Sequence, residues 1–84
     1  MLVEVALFAH LTPYLPEAGA GGTTGSPHAR TIDLPDGTTV GQVIARLELP
    51  DEPRIVFVGG RHAADDHVLA AGERLAIFPP VAGG

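Results

Sequence analysis

The stretch RLAIFPPVAGG, Arg74 to Gly84, joins a strand pattern to a tail and decides how the rest of the chain is interpreted. Residues 74–78 form a mostly apolar run, which predicts a strand. This strand must end at Pro79, because proline has no amide hydrogen for the sheet ladder. A proline pair then favours an extended exit, and two glycines follow without side chains. We therefore predict a folded domain over residues 1–78 and a flexible C-terminal tail over 79–84.

Upstream of this strand, the sequence alternates strand patterns with one helix pattern. Strand-like runs occur at residues 2–9, 31–34 and 54–58, and the last is so apolar that we expect it to be the central strand, buried on both faces. An amphipathic helix is predicted over 40–47, behind a threonine cap and ahead of Pro50. One helix covers one face of a sheet, so the economical packing is an α+β roll with the first and last strands together in the middle. Inward-facing positions are expected to share one core: Leu7, Val43, Ile44, Leu47, Val56 and Ile77.

Composition limits the chemistry that this chain can perform. Its 84 residues are 45% hydrophobic, with no cysteine and a formal charge of −5, as expected for one soluble domain. Without cysteine there are no disulfides, thiolate zinc sites or cysteine nucleophiles. The five basic residues are scattered arginines, so a protein partner with a basic surface is expected and nucleic acid is not. With neither a leader nor a membrane-spanning run, we expect a cytoplasmic protein.

Two other features invite a functional interpretation that the residues do not support. The glycine-rich loop at 19–25 lacks the Gly-Lys-Ser/Thr ending of a phosphate-binding loop, so a mobile surface loop over 17–27 is expected. Asp65 and Asp66 accompany four histidines, but no tight ligand spacing appears, and no metal site is predicted. The histidines are His10, His28, His62 and His67.

Three stretches of the chain together resemble the ubiquitin-like β-grasp sulfur carriers of the ThiS/MoaD type. They are Val58 to Gly60, Asp66 to Ile77 and, above all, Phe78 to Gly84. The tail is the specific part, since a terminal Gly-Gly behind Pro-Pro-Val-Ala is far more restrictive than Gly-Gly alone. Within this family, the chain is most similar to the small subunit of molybdopterin synthase. The resemblance implies a β-grasp roll, with a mixed sheet of four to five strands packed on one main helix.

The resemblance also implies a carrier that is not itself an enzyme. An adenylating enzyme of the ubiquitin-activating type would use ATP to activate the carboxylate of Gly84, and sulfur from a sulfur-donating enzyme would displace AMP. The resulting thiocarboxylate would enter the large subunit of molybdopterin synthase, in molybdenum cofactor biosynthesis, and the carrier would bind no cofactor or metal. Gly83 and Gly84 are then the reactive residues. The partner-binding tail is Phe78, Pro79, Pro80, Val81 and Ala82.

A physical reason for this tail can be given beside the resemblance. A carboxylate is a poor acyl donor until it is activated, and the activating site must enclose the terminus closely. Gly83 and Gly84 present bare backbone to such a site, while Pro79 and Pro80 hold the tail away from its own sheet.

Other functions remain open at this stage. The same sulfur chemistry could serve thiamine, tungsten-pterin, thiolated tRNA or sulfur amino-acid synthesis. A ubiquitin-like protein modifier or a binding module is the other class, although a chain without lysine cannot form self-linked lysine chains. Of Phe57, Leu69 and Phe78, some are expected in the core, and one or two in an exposed patch for partners.

Overall fold

The computed structural model describes residues 1–16 and 28–79. Within them the chain forms strands β1 (Leu2–Leu7), β2 (Ala29–Asp33), β3 (Ile55–Val58), β4 (Arg61–His62) and β5 (Arg74–Phe78), helix α1 (Val40–Arg46) and a 3-10 helix at Ala9–Tyr14. The loop predicted to be mobile at 17–27 lies outside the described residues, as does the tail after Pro79. None of the helices in the described ranges is long and apolar enough to cross a bilayer.

The described strands form one mixed five-stranded sheet in the order β2-β1-β5-β3-β4. β1 runs parallel to β5, and the other neighbouring pairs are antiparallel. The first and last strands therefore lie together in the middle, as predicted, and the α+β class with a β-grasp arrangement is confirmed. The strand that leads to the tail is the central one.

The prediction that residues 54–58 form the central strand, buried on both faces, is wrong. β3 lies between β5 and the two-residue β4. Val56 and Val58 are buried, whereas Ile55 is exposed and Phe57 is half-buried. The core therefore takes only the alternate residues of this strand, and the apolar side chains between them belong to the opposite face.

Helix α1 begins at a capping box, which explains why it starts at residue 40. The Thr39 hydroxyl accepts from the Gln42 backbone amide at 3.2 Å, and the Gln42 side chain accepts from the Thr39 amide at 2.9 Å. Val40, Val43 and Ile44 are buried. The predicted helix, its threonine cap and its apolar face are thus confirmed.

The core contains five of the six predicted residues and joins α1 to one face of the sheet, while the sixth, Leu47, is not in the buried cluster. Leu47 packs at its margin, half-buried. The buried cluster consists of Val3, Val5, Leu7, Leu11, Leu34, Val40, Val43, Ile44, Val56, Val58, Leu69, Leu75 and Ile77.

Two local boundaries differ from the sequence prediction. β1 ends at Leu7 and not at Ala9, because Ala9 has a φ of +53° and turns the chain into the 3-10 helix. β4 was not predicted. It forms because Gly59 and Gly60, with φ of +60° and +84°, close a tight hairpin after β3.

Candidate functional site

The sheet has a second face, turned away from the core and α1, which we call the open face. Alternate residues of neighbouring strands share a face. Val5, Leu75 and Val56 point into the core. The residues that alternate with them along each strand therefore lie on the open face. From β1, β5 and β3 these are Glu4, Ala6, Arg74, Ala76, Phe78, Ile55 and Phe57.

Five rings in successive contact, which we call the aromatic row, cross the open face. Phe8 stacks on Phe78 with centroids 4.4 Å apart and planes only 4° from parallel. Phe78 meets Phe57 edge to face at 5.8 Å. His28 stacks on Phe8 at 5.5 Å, and His62 lies against Phe57 at 4.5 Å. Such contacts hold each ring in place, so the end of β5 is fixed just where the tail begins.

A shallow groove of about 260 Å³ lies beside the aromatic row. Gly60 contributes to it without a side chain and at a φ of +84°, which other residues rarely adopt. The groove is lined by Phe8, Phe57, Gly60, Arg74, Ala76 and Phe78.

The charges at the groove balance each other. Arg74 Nε lies 3.0 Å from Glu4 Oε2 across the β1–β5 pair, and both side chains are partly exposed. The surface around the groove is thus apolar with a neutralised ion pair. Exposed carboxylates lie instead at the end of β2 and in connecting segments, at Asp33, Asp36, Glu48, Asp51, Asp65 and Asp66. The negative charge that favours a basic partner is therefore concentrated away from the groove.

The predicted site residues divide between the described and undescribed parts of the chain. Phe78 is in the aromatic row and Pro79 follows it, half-buried. Leu69 belongs to the core, whereas Phe57 and Phe78, which the sequence left undecided between core and surface, are half-buried and line the groove. Residues outside the description are Pro80, Val81, Ala82, Gly83 and Gly84.

Sequence reasoning missed Phe8 and Arg74 as parts of this surface. Phe8 lies just past β1, in alternation with Glu4 and Ala6, and it reaches Phe78 because β1 and β5 are parallel neighbours. The alternation is visible in the sequence. The neighbour relation was predicted too, so combining the two would have located Phe8.

The four histidines are in four different environments. His10 Nε2 lies 2.6 Å from Glu52 Oε1, and His67 Nε2 lies 3.6 Å from Glu73 Oε1. His28 and His62 are the two ends of the aromatic row. In the part of the chain that the structure describes, no group of three histidine or acidic side chains is arranged to hold a metal ion.

Comparisons with known proteins agree with this geometry. The model of the ThiS family matches residues 23–84. A comparison with curated protein sequences finds no significant match. Among solved structures, SAMP1, the small archaeal modifier protein 1 from Haloferax volcanii, is similar over 100% of both chains, with 29% identity and a TM-score of 0.66.

Two further solved structures share the fold at lower identity. A Pyrococcus furiosus protein assigned as molybdopterin converting factor, subunit 1, has 24% identity and a TM-score of 0.68, over 95% of this chain and 98% of that one. A chain from the complex of subunits 1 and 2 of the Helicobacter pylori molybdopterin-converting factor has 16% identity and a TM-score of 0.59, over 100% of both chains.

Proposed function

Because the chain belongs to the ThiS family, whose model matches more than half of its length, we propose that it is a sulfur carrier. In this proposal the carboxylate of Gly84 is adenylated by a partner enzyme and then converted to a thiocarboxylate that donates sulfur. The carrier itself is not a catalyst. The observation that carries the proposal is the placement of the open-face groove on β5, the strand that continues into the Gly-Gly tail.

This placement links recognition of the carrier to delivery of its terminus. Phe78 is held between the rings of Phe8 and Phe57, so the tail starts from a fixed point. Six residues follow Phe78, up to and including Gly84, and an extended chain of that length spans roughly 20 Å. A partner that covers the groove can therefore receive the terminus in a pocket about that far away.

The chemistry fits a chain without thiols. An oxygen of the Gly84 carboxylate attacks the α-phosphate of ATP and releases pyrophosphate, which turns the glycine into an acyl-adenylate. A hydrosulfide equivalent from a donor enzyme then attacks the acyl carbon: the C–S bond forms, the C–O bond to AMP breaks, AMP leaves, a proton is lost, and the thiocarboxylate remains on the main chain. Since the chain has no cysteine, the transferred sulfur has only this terminus as its site of attachment.

We propose the large subunit of molybdopterin synthase as the enzyme that receives the thiocarboxylate. The H. pylori relative forms a complex of subunits 1 and 2, and a corresponding larger partner would cover the open face here. The sequence of the tail, Phe78 to Gly84, is what favours this acceptor. Thiamine, tungsten-pterin, tRNA thiolation and sulfur amino-acid synthesis use the same carrier chemistry.

A protein modifier is the second candidate, supported by the similarity to small archaeal modifier protein 1 over the whole chain. In that case the activated Gly84 passes to an amine of a target protein and forms an amide bond. Intact mass separates the two functions. A thiocarboxylate adds about 16 mass units to the free chain, because sulfur replaces one oxygen, whereas a conjugate appears at the summed mass of carrier and target.

The proposal is tested by removing Gly84 and, separately, by changing Gly83→Val. Either change should reduce ATP–pyrophosphate exchange by the cognate adenylating enzyme on the order of a hundredfold. Deletion moves the carboxylate by about 3.5 Å, and a β-branched side chain obstructs a narrow site. Arg46→Ala, on the exposed side of α1, is the matched control and should exchange normally. Undiminished exchange and full sulfur loading without Gly84 would exclude the carrier function.

A further inference from the structure

The chain has one primary amine. Its basic side chains are all arginines, at positions 30, 46, 54, 61 and 74, and the sequence contains no lysine. Guanidinium groups stay protonated at ordinary pH and do not act as amine nucleophiles. The α-amine of Met1 is therefore the one nitrogen of these residues that could form a stable amide with an activated acyl group, since a histidine would give only a hydrolysable acyl-imidazole.

The structure holds this amine in hydrogen bonds. Met1 N donates to the Leu34 carbonyl oxygen at 2.7 Å and to Asp33 Oδ1 at 3.2 Å, with Asp36 Oδ1 at 3.7 Å. The Leu34 amide donates back to the Met1 carbonyl at 2.8 Å, so the residue is fixed on both sides. The Met1 side chain is only 6% exposed. An ammonium has three N–H donors, and these three oxygens lie around it.

We propose that the folded chain is a donor in acyl transfer and not an acceptor. Aminolysis needs a free nitrogen lone pair: the N–C bond to Gly84 forms, the C–O bond to AMP breaks, AMP leaves and the amine loses a proton. The Met1 nitrogen is bound by Leu34 and Asp33 and cannot approach a second copy without breaking these bonds. Copies with an activated Gly84 then do not link to one another before sulfur is transferred. If the chain acts as a modifier, each target amine receives one copy and not a polymer of copies.

The test measures amine reactivity directly, on the untagged chain whose first residue is Met1. Acetylation by an N-hydroxysuccinimide ester at pH 8.5 is followed by intact mass. We expect the folded chain to gain its single acetyl group at least tenfold more slowly than the same chain in urea. Equal rates in the two conditions would overturn the proposal.

The variant Arg46→Lys supplies an internal control, because it places one new amine on the exposed surface of α1. In the folded variant the rate of Met1 labelling relative to that of the new lysine should be at least tenfold lower than in the same variant in urea, and peptide mapping identifies each site. An unchanged ratio would contradict the proposal.

A second arm tests the consequence of the proposal during activation. With the adenylating enzyme and ATP but no sulfur donor, the wild-type chain should remain monomeric by intact mass, and an ATP-dependent covalent dimer would overturn the proposal. This arm depends on the proposed activation of Gly84, whereas the labelling arms do not. Failure of the carrier function would therefore leave the labelling result standing, and the two failures can be told apart.

Discussion

Glu48 ends helix α1 in a backbone conformation that ordinarily belongs to glycine. Its φ is +57°. The Glu48 amide donates to the Ala45 carbonyl at 3.1 Å, and the Leu49 amide donates to the Ile44 carbonyl at 3.2 Å. These two bonds form a Schellman motif with Glu48 at its left-handed position. The motif satisfies the last carbonyls of the helix, while the side chain at this position crowds its own backbone.

Replacing Glu48→Gly should therefore stabilise the domain. Glycine adopts a positive φ without steric cost, so we expect the free energy of unfolding to rise by about 1 kcal/mol. This expected gain is a net value: relief of the backbone strain is partly offset because glycine gives the unfolded chain more conformational entropy. Urea denaturation measures it. The control Glu48→Ala removes the charge and keeps the strained φ, so it should give no such gain, and equal effects of the two variants would refute the explanation.

The two ends of α1 differ in how well the sequence predicts them. Threonine is a preferred capping residue, and Thr39 stands directly before apolar residues at helical spacing, so the sequence predicts where the helix begins. At the other end, neither Glu48 nor Leu49 signals a left-handed residue. Pro50 limits the helix, as the sequence predicts, but the left-handed residue that closes it depends on the turn of the chain towards β3.

At the scale of the elements, helix α1 stabilises the domain mainly through its apolar face, which packs against the sheet. Ile44 is 8% exposed and belongs to the core with Val56 and Ile77. Replacing Ile44→Ala should lower the free energy of unfolding by about 2–5 kcal/mol, because a cavity replaces buried methyl groups. Denaturant melts measure the loss. Arg46→Ala, two residues further along α1 but exposed, should change the free energy of unfolding little. A near-zero effect of Ile44→Ala would contradict the packing of this helix.

The error over β3 has a physical cause. Ile55 and Phe57 are apolar as core residues are, yet they lie on the open face. From a run of apolar residues alone, side chains buried in the core cannot be told from side chains on an apolar surface of the sheet. β4 escaped prediction for another reason, since two residues, Arg61–His62, carry no periodicity and pair only because the glycine turn brings them back.

Across the whole molecule, the sheet separates the core from the surface that we propose for recognition. One face binds α1 and contains the core, while the other presents the aromatic row and the groove. β5 belongs to both, because Leu75 and Ile77 are buried while Arg74, Ala76 and Phe78 face outward. The Gly-Gly tail can be identified in the sequence because it is a short contiguous motif, and its role stays a prediction. The groove cannot be identified in this way, because it exists only when three strands are aligned.

This arrangement predicts that recognition by the adenylating enzyme depends on the groove and little on salt. Phe57→Ala removes one wall of the groove and two ring contacts. We expect affinity to fall tenfold or more, as for a central aromatic contact in an interface. The Glu4–Arg74 pair leaves the groove nearly neutral, so the wild-type affinity should change less than about threefold between 50 and 500 mM NaCl.

Val68→Ala is the matched control for this prediction. Val68 is an apolar residue that is 56% exposed. It pairs with Thr39 beside α1 and does not line the groove. Isothermal titration calorimetry with the adenylating enzyme gives the affinities, and circular dichroism checks that each variant is folded. If the partner docks through the open face, Phe57→Ala weakens binding and Val68→Ala does not. Equal losses in the two variants, or a steep fall in affinity with salt, would place the contact on the acidic surface around the loops instead.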